Sequence, residues 1–163
     1  MTPARASGRK SARRVREQPT APPVVLLDTN IIVDVLRLRQ PWHVDAARLF
    51  ESIDAGRVRA FVAVHTVTTI FYLVRRALDV GRARVAVRRL LMSLEIAPLD
   101  GADLLRAVSL PLADFEDSCQ VVSAERAGAE AVVTRDKAHF RGSPVSILTP
   151  AQLVARLGGS ARG

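Results

Sequence analysis

At 163 residues, 48% of them hydrophobic and 25% charged, the chain fits one globular domain large enough to close a hydrophobic core. No apolar run approaches the roughly 18 residues of a membrane helix, and the single cysteine, Cys119, excludes an internal disulfide or a cysteine zinc cluster, so a reducing cytoplasm is the expected setting. The net charge of +8 favours a polyanionic partner, either nucleic acid or an acidic protein segment.

Much of that charge lies at the start. Residues 1–22 hold six cationic side chains against Glu17 alone. This segment lacks the apolar stretch of a secretory signal and is rich in Arg, Ser, Ala and Pro, so it reads as a disordered basic tail. Its functional alternative is an electrostatic arm for nucleic acid. Pro19, Pro22 and Pro23 mark the boundary of a folded domain over 23–158, with 159–163 a flexible C-terminus.

From Val24 onward short apolar runs alternate with helical periods. Val24 to Leu27 reads as a strand buried on both faces, and Asp28-Thr29-Asn30 ends it. Ile31, Ile32, Val35, Leu36 and Leu38 form a helical stripe broken by Pro41. Ala46 to Ile53 forms the next helix, closed near Gly56. Ala60 to Val64 is a second strand, followed by helices over Thr66–Leu78 and Arg82–Met92. A short strand near Leu94–Ala97, a helix over Asp114–Ala127 closed by Gly128, and strands at Ala131–Val133 and Val145–Ile147 come next. Thr149-Pro150 opens a final helix, with an N-cap and a proline in its first turn.

This alternation predicts an α/β three-layer domain with a mainly parallel sheet. In such sheets functional groups gather beyond the carboxyl ends of the strands. Asp28 follows the first strand, and Thr134 and Asp136 follow Ala131–Val133. Asp114 and Asp117, three apart, share one face of a helix opening at the same rim. Carboxylates at 4 Å repel by roughly 4 kcal/mol per pair at an effective dielectric of 20, which calls for compensation. An oxygen-preferring divalent cation, Mg²⁺ or Mn²⁺, suits that donor set; zinc does not, since no cysteine or histidine is grouped with the acids.

Asp28-Thr29-Asn30 after a strand, Asp114-Phe115-Glu116-Asp117 opening a helix, and Thr134-Arg135-Asp136 after a strand together resemble the signature of PIN domains. The ending from Phe140 to Thr149-Pro150 is similar too, so the resemblance runs from about Val24 to Leu157. It is nearest to small VapC-type toxins paired with antitoxins. The resemblance implies a five-stranded parallel sheet with helices on both faces and a metal-dependent ribonuclease. It also implies an antitoxin partner and a homodimer. On the matching positions, Asp28 and Asp117 would ligate the metal and Asp136 would orient it. Asn30 and Thr134 would hydrogen-bond the carboxylates, and a metal-activated water would attack the RNA phosphodiester.

One position departs from the family pattern: Thr69 stands where a glutamate is usual, with Asp114 a candidate to supply the charge. That departure keeps a second reading open, a catalytically weakened RNA- or protein-binding module.

Other residues read more plainly. Asp28 and Asp114 each suit a helix cap, and Cys119 suits a buried helix position. His43, His65 and His139 read as isolated, and Trp42 as a packing residue or an interface anchor. The arginines at 75, 76, 82, 84, 88 and 89 form either a solvated face or a contact for RNA or an acidic antitoxin. Aromatics at 4% argue against an extended base-stacking platform.

Overall fold

The computed structural model describes residues 21–160. Strands Val24–Leu27 (β1), Arg59–Val62 (β2), Glu95–Ile96 (β3), Ala131–Val133 (β4) and Ser146–Leu148 (β5) form one sheet in the order β3-β2-β1-β4-β5. Every pairing is parallel. The connecting helices are Thr29–Leu36 (α1), Trp42–Asp54 (α2), Val64–Ala77 (α3), Val80–Ser93 (α4), Gly101–Val108 (α5), Phe115–Arg126 (α6) and Pro150–Ser160 (α7). A 3-10 turn, Lys137–Phe140, follows β4.

Strand alternation assigns the two faces of the sheet. Val25, Leu27, Val62 and Val133 point into one core with Ile31, Leu49, Ile70, Leu90 and Leu153, which come from α1, α2, α3, α4 and α7. Leu26, Phe61 and Val132 point the other way, against Val121 and Ala124 of α6. Cys119 and Val122 carry α6 on to Ala107 of α5. The result is the expected helix–sheet–helix sandwich, with strands apolar on both faces because both are covered. Among the described residues no helix is long and apolar enough to cross a membrane.

The strand order positions the site. The chain builds outward from β1 to β2 and β3, then returns to the other side of β1 for β4 and β5. The topological switch point therefore lies between β1 and β4, where Leu27 pairs with Val133. The next residues, Asp28 and Thr134, leave the sheet side by side, fixed by Asp28 N donating to Val133 O at 2.9 Å and Thr134 N donating to Leu148 O at 2.9 Å.

Several boundaries differ from the sequence expectation. The second strand closes at Val62, and the exposed Val64 already begins α3. The helix after Pro41 starts at once, at Trp42. Helix α5 was not expected at all. Its start is a reciprocal cap: Asp100 accepts from the Ala102 and Asp103 amides, and Asp103 accepts from Asp100 N. Gly128, at φ +67°, closes α6 as its sequence position predicts. The basic tail, apart from Ala21 and Pro22, lies outside the described residues, as do 161–163. Helix α7 runs on through Ser160.

Candidate active site

Asp28 is the fixed point of the site. It is 6% exposed and caps α1 through the Asn30 amide, as a helix-start aspartate should. Its carboxylate does much more than cap. Oδ2 accepts from Thr134 Oγ1 at 2.7 Å and from the Asn30 carboxamide. Oδ1 accepts from Gln120 Nε2 at 3.1 Å. Asn30 Nδ2 also donates to Thr134 Oγ1 at 3.0 Å. These side-chain donors are all neutral, so they orient the charge of Asp28 without cancelling it.

Helix α6 brings the second carboxylate. Asp114 caps it, accepting from Glu116 N at 2.7 Å and Asp117 N at 3.3 Å. Asp117 then sits in the first turn, 9% exposed, facing the cleft that Asp28 also lines. Burial first, and then the charges of Asp28, Asp114 and Glu116, push the Asp117 carboxyl up to about 6; nearby His139 opposes the shift.

The cleft has a volume of about 380 Å³ and includes Thr29, Asn30, Thr69, Asp114 and Glu116. Thr69 faces it from α3, the position at which the resemblance places an acid. Across from the carboxylates stand Arg37 and Arg39. Between them Leu38 adopts φ +51°, a left-handed conformation unusual for leucine, as the chain turns out of α1.

Asp136 sits apart from the pair. It is absent from the cleft lining, and His139 stands between it and Asp117, with Nε2 3.5 Å from Asp136 and Nδ1 3.9 Å from Asp117. His139 is thus a partner of two site carboxylates, not an isolated residue as expected. Asp136 N donates to Thr134 Oγ1 at 3.0 Å, which ties this loop to the hydroxyl that also holds Asp28.

Besides His139, the charged and amide residues of the cleft outside the predicted site are Glu116, Gln120, Arg37 and Arg39. Glu116 accepts from Thr29 Oγ1 at 3.3 Å and approaches His65 Nε2 at 3.7 Å. Burial keeps the His65 imidazole below its usual range despite Glu116. Gln120 lies one helical turn beyond Asp117, a spacing that could have revealed it. Trp42 is not a buried packing residue, which leaves its interface-anchor reading open. It is 47% exposed and lies beneath the Arg135 guanidinium, 4.6 Å from ring centroid to carbon.

Oxygen donors dominate the cleft, where burial and then neighbouring carboxylates raise Asp117. Gln120 Oε1 is buried there with no partner among the described residues. Among the described residues no three His, Cys, Asp or Glu side chains converge as a ready metal cage. The arrangement fits Mg²⁺, which binds through one or two carboxylates and retains several waters, better than zinc.

A parallel α/β domain with paired acids at its switch point defines the class of protein. The family model for the PIN domain matches residues 24–138, and the chain belongs to that family. Ribonuclease VapC1 of Aquifex aeolicus is 25% identical over 137 residues, covering 81% of this chain and 94% of that protein. The fold matches VapBC2 of Rickettsia felis bound to a promoter DNA fragment, with TM-score 0.60, 15% identity, and 77% and 98% of the two chains covered. It also matches a toxin-antitoxin complex from Klebsiella pneumoniae, with TM-score 0.58, 21% identity, and 77% and 97% covered.

Proposed function

We propose that the chain is a divalent-metal-dependent endoribonuclease and the toxin of a toxin-antitoxin pair. The observation that carries this reading is the pair Asp28 and Asp117 in one cleft, with Asp117 raised by burial and then by its anionic neighbours. Asp28 and Asp117 would hold Mg²⁺ or Mn²⁺. When bound, such an ion supplies charge neutralisation at the phosphodiester and lowers the pKa of water.

The chain's own residues prepare that chemistry. Asn30, Thr134 and Gln120 hold the Asp28 carboxylate in place at the cleft before substrate arrives. Asp114 and Glu116 add negative charge that partly replaces the glutamate absent at Thr69. Asp136, through His139, would orient solvent at the cleft margin. Arg37 and Arg39 would meet RNA phosphates and keep the substrate over the acids. A nuclease name among the relatives and the net positive charge support an RNA substrate.

An antitoxin partner is supported by the toxin-antitoxin complexes with the same fold. Of the exposed arginines on α3 and α4, Arg82 and Arg89 edge an apolar groove lined by Val35, Phe50, Val85 and Leu90. An apolar segment with acidic flanks would complement it. Buried Cys119 suits a reducing, cytoplasmic setting.

The test is cleavage of defined RNAs by the purified chain with Mg²⁺, with Mn²⁺ and with excess EDTA. Cleavage that needs the ion and disappears in Asp28→Asn supports the nuclease. RNA binding without cleavage under every metal condition would instead favour the weakened binding module that Thr69 allows.

A further inference from the structure

A second, smaller cavity of about 260 Å³ lies beside the acidic cleft, lined by Asp34, Trp42, Asp45, Arg135 and Thr149 among others. It is below the roughly 300–1,000 Å³ of pockets for drug-sized ligands, so its occupant is small. Three features define the cavity. Trp42 offers an indole that is 47% exposed in spite of the guanidinium above it. Arg135 is held in that stack by an ion pair with Asp34, which keeps its plane fixed. The other Asp34 oxygen, Oδ2, is buried with no hydrogen-bond partner among the described residues, on a side chain with 0% exposure.

A flat aromatic ring matches the exposed surface of this stack. It would lie on the part of the indole that the guanidinium leaves open. Unpaired nucleobases are such rings, and aromatic side chains with arginine planes are the usual surfaces for stacking them. Inorganic phosphate lacks a ring and would face two aspartates.

The location connects the cavity to the reaction. Arg135 lies in sequence between Thr134, which holds Asp28, and Asp136, and its amide donates to Asn30 Oδ1 at 3.4 Å. Asp34 stands six residues beyond Asp28, about 9 Å along α1 at the helical rise. A strand with a phosphate at Asp28 and Asp117 would pass this cavity with a neighbouring nucleotide.

We propose that Trp42 and Arg135 form a stacking subsite for one unpaired nucleobase of the RNA, flanking the phosphodiester in the acidic cleft. The inference rests on the ribonuclease reading and adds a single subsite, not an extended platform, which accords with the low aromatic content.

Trp42 is the sole tryptophan of the chain, so its fluorescence reports this cavity alone. The full chain in EDTA, where cleavage is not expected, is titrated at fixed low salt with a dye-labelled single-stranded RNA. Anisotropy follows the RNA while tryptophan emission follows the cavity. An abasic oligomer of the same length is the second arm. The expected result is saturable quenching that tracks anisotropy for RNA, with little quenching by the abasic oligomer.

Trp42→Ala should weaken RNA binding on the order of tenfold and raise KM more than it lowers kcat. Trp42→Phe should recover part of the loss. If Trp42→Ala fails to fold by its melting curve, Arg135→Lys removes the planar stack while keeping the charge, and should reduce the preference for RNA over the abasic oligomer. RNA that binds without moving Trp42 emission, or equal quenching by the abasic oligomer, overturns the subsite while leaving the nuclease standing. Absence of any RNA binding, in EDTA and with Mn²⁺ alike, overturns both.

Discussion

Gln120 donates to Asp28 across 3.1 Å, although 92 residues separate them, and its own Oε1 has no partner among the described residues. This contact decides what Asp28→Asn does. An asparagine can keep its oxygen toward the Thr134 and Asn30 side chains and turn its amide toward Gln120, whose carboxamide flips to accept. The side-chain network survives at the cost of the long Asn30 N–H cap on Oδ1, and one negative charge beside Asp117 is gone. We expect a folded protein without cleavage activity, more stable in EDTA by on the order of 1 kcal/mol at pH 7.5. Mg²⁺ should shrink that difference, because it stabilises only the native protein that binds it. Melting curves of both proteins, with and without Mg²⁺, check this; an unchanged or lower Tm for the variant in EDTA would show that the acids do not repel.

The raised Asp117 carboxyl makes stability depend on pH with a definite sign. Between the ordinary value of 3.8 and about 6, the native state holds a proton that the unfolded chain has released. Stability in metal-free buffer should therefore fall as pH rises through this window, by on the order of 1–3 kcal/mol from this group. Asp117→Asn should flatten that slope. Metal binding should weaken below about pH 6, where the proton competes for the same oxygens. Thermal melts across pH 4–8 in EDTA, set beside Mn²⁺ titrations at pH 5.5 and 7.5, measure both effects.

Thr69 lines the cleft from α3. Thr69→Glu should add an oxygen donor, tightening Mn²⁺ binding by several-fold in calorimetry. In EDTA the same change should lower Tm, since a further carboxylate joins Asp28, Asp114, Glu116 and Asp117. Unchanged affinity would mean that the glutamate cannot reach the ion held by Asp28 and Asp117.

The sheet was legible because its strands carry apolar residues on both faces, and Ala131–Val133 keeps the same limits in the structure. Asp28 and Thr134 were legible because a residue ending a strand must lie at the rim. Side-chain reach was not. His139 meets Asp117 and Asp136 only because the 3-10 turn after β4 swings it back over the rim. Arg37 and Arg39, two apart, ordinarily diverge on a helix; the left-handed Leu38 leads the chain out of α1 between them. Helix α5 has eight residues like α1, but its buried positions are Asp103 and Ala107 and not a stripe of large apolar residues. Its Asp100–Asp103 capping pair was nonetheless present in the sequence, a signal independent of periodicity.

The pair Asp34 and Arg135 tests how the fold holds the loop that carries Thr134 and Asp136. Asp34 has no exposed side-chain surface, and Arg135 is its only ion-pair partner among the described residues. Burial holds the Asp34 carboxyl above its usual range even with Arg135 beside it. Arg135→Ala would leave that carboxylate buried without its counter-charge, a change that costs about 3–5 kcal/mol in comparable sites. Asp34→Ala leaves a guanidinium that is one-quarter exposed and can turn to water, so its cost should be smaller. The double variant should be more stable than Arg135→Ala alone, because the stranded charge is gone. The Arg135→Ala deficit should also shrink at acid pH. Without the guanidinium the Asp34 carboxyl rises further, and at pH 5 it escapes part of the penalty by binding a proton. Denaturant melts of the three variants and the parent at pH 5 and pH 8 decide the matter. Additive losses, or a deficit that grows toward acid pH, would show that the stability of this loop does not depend on the ion pair.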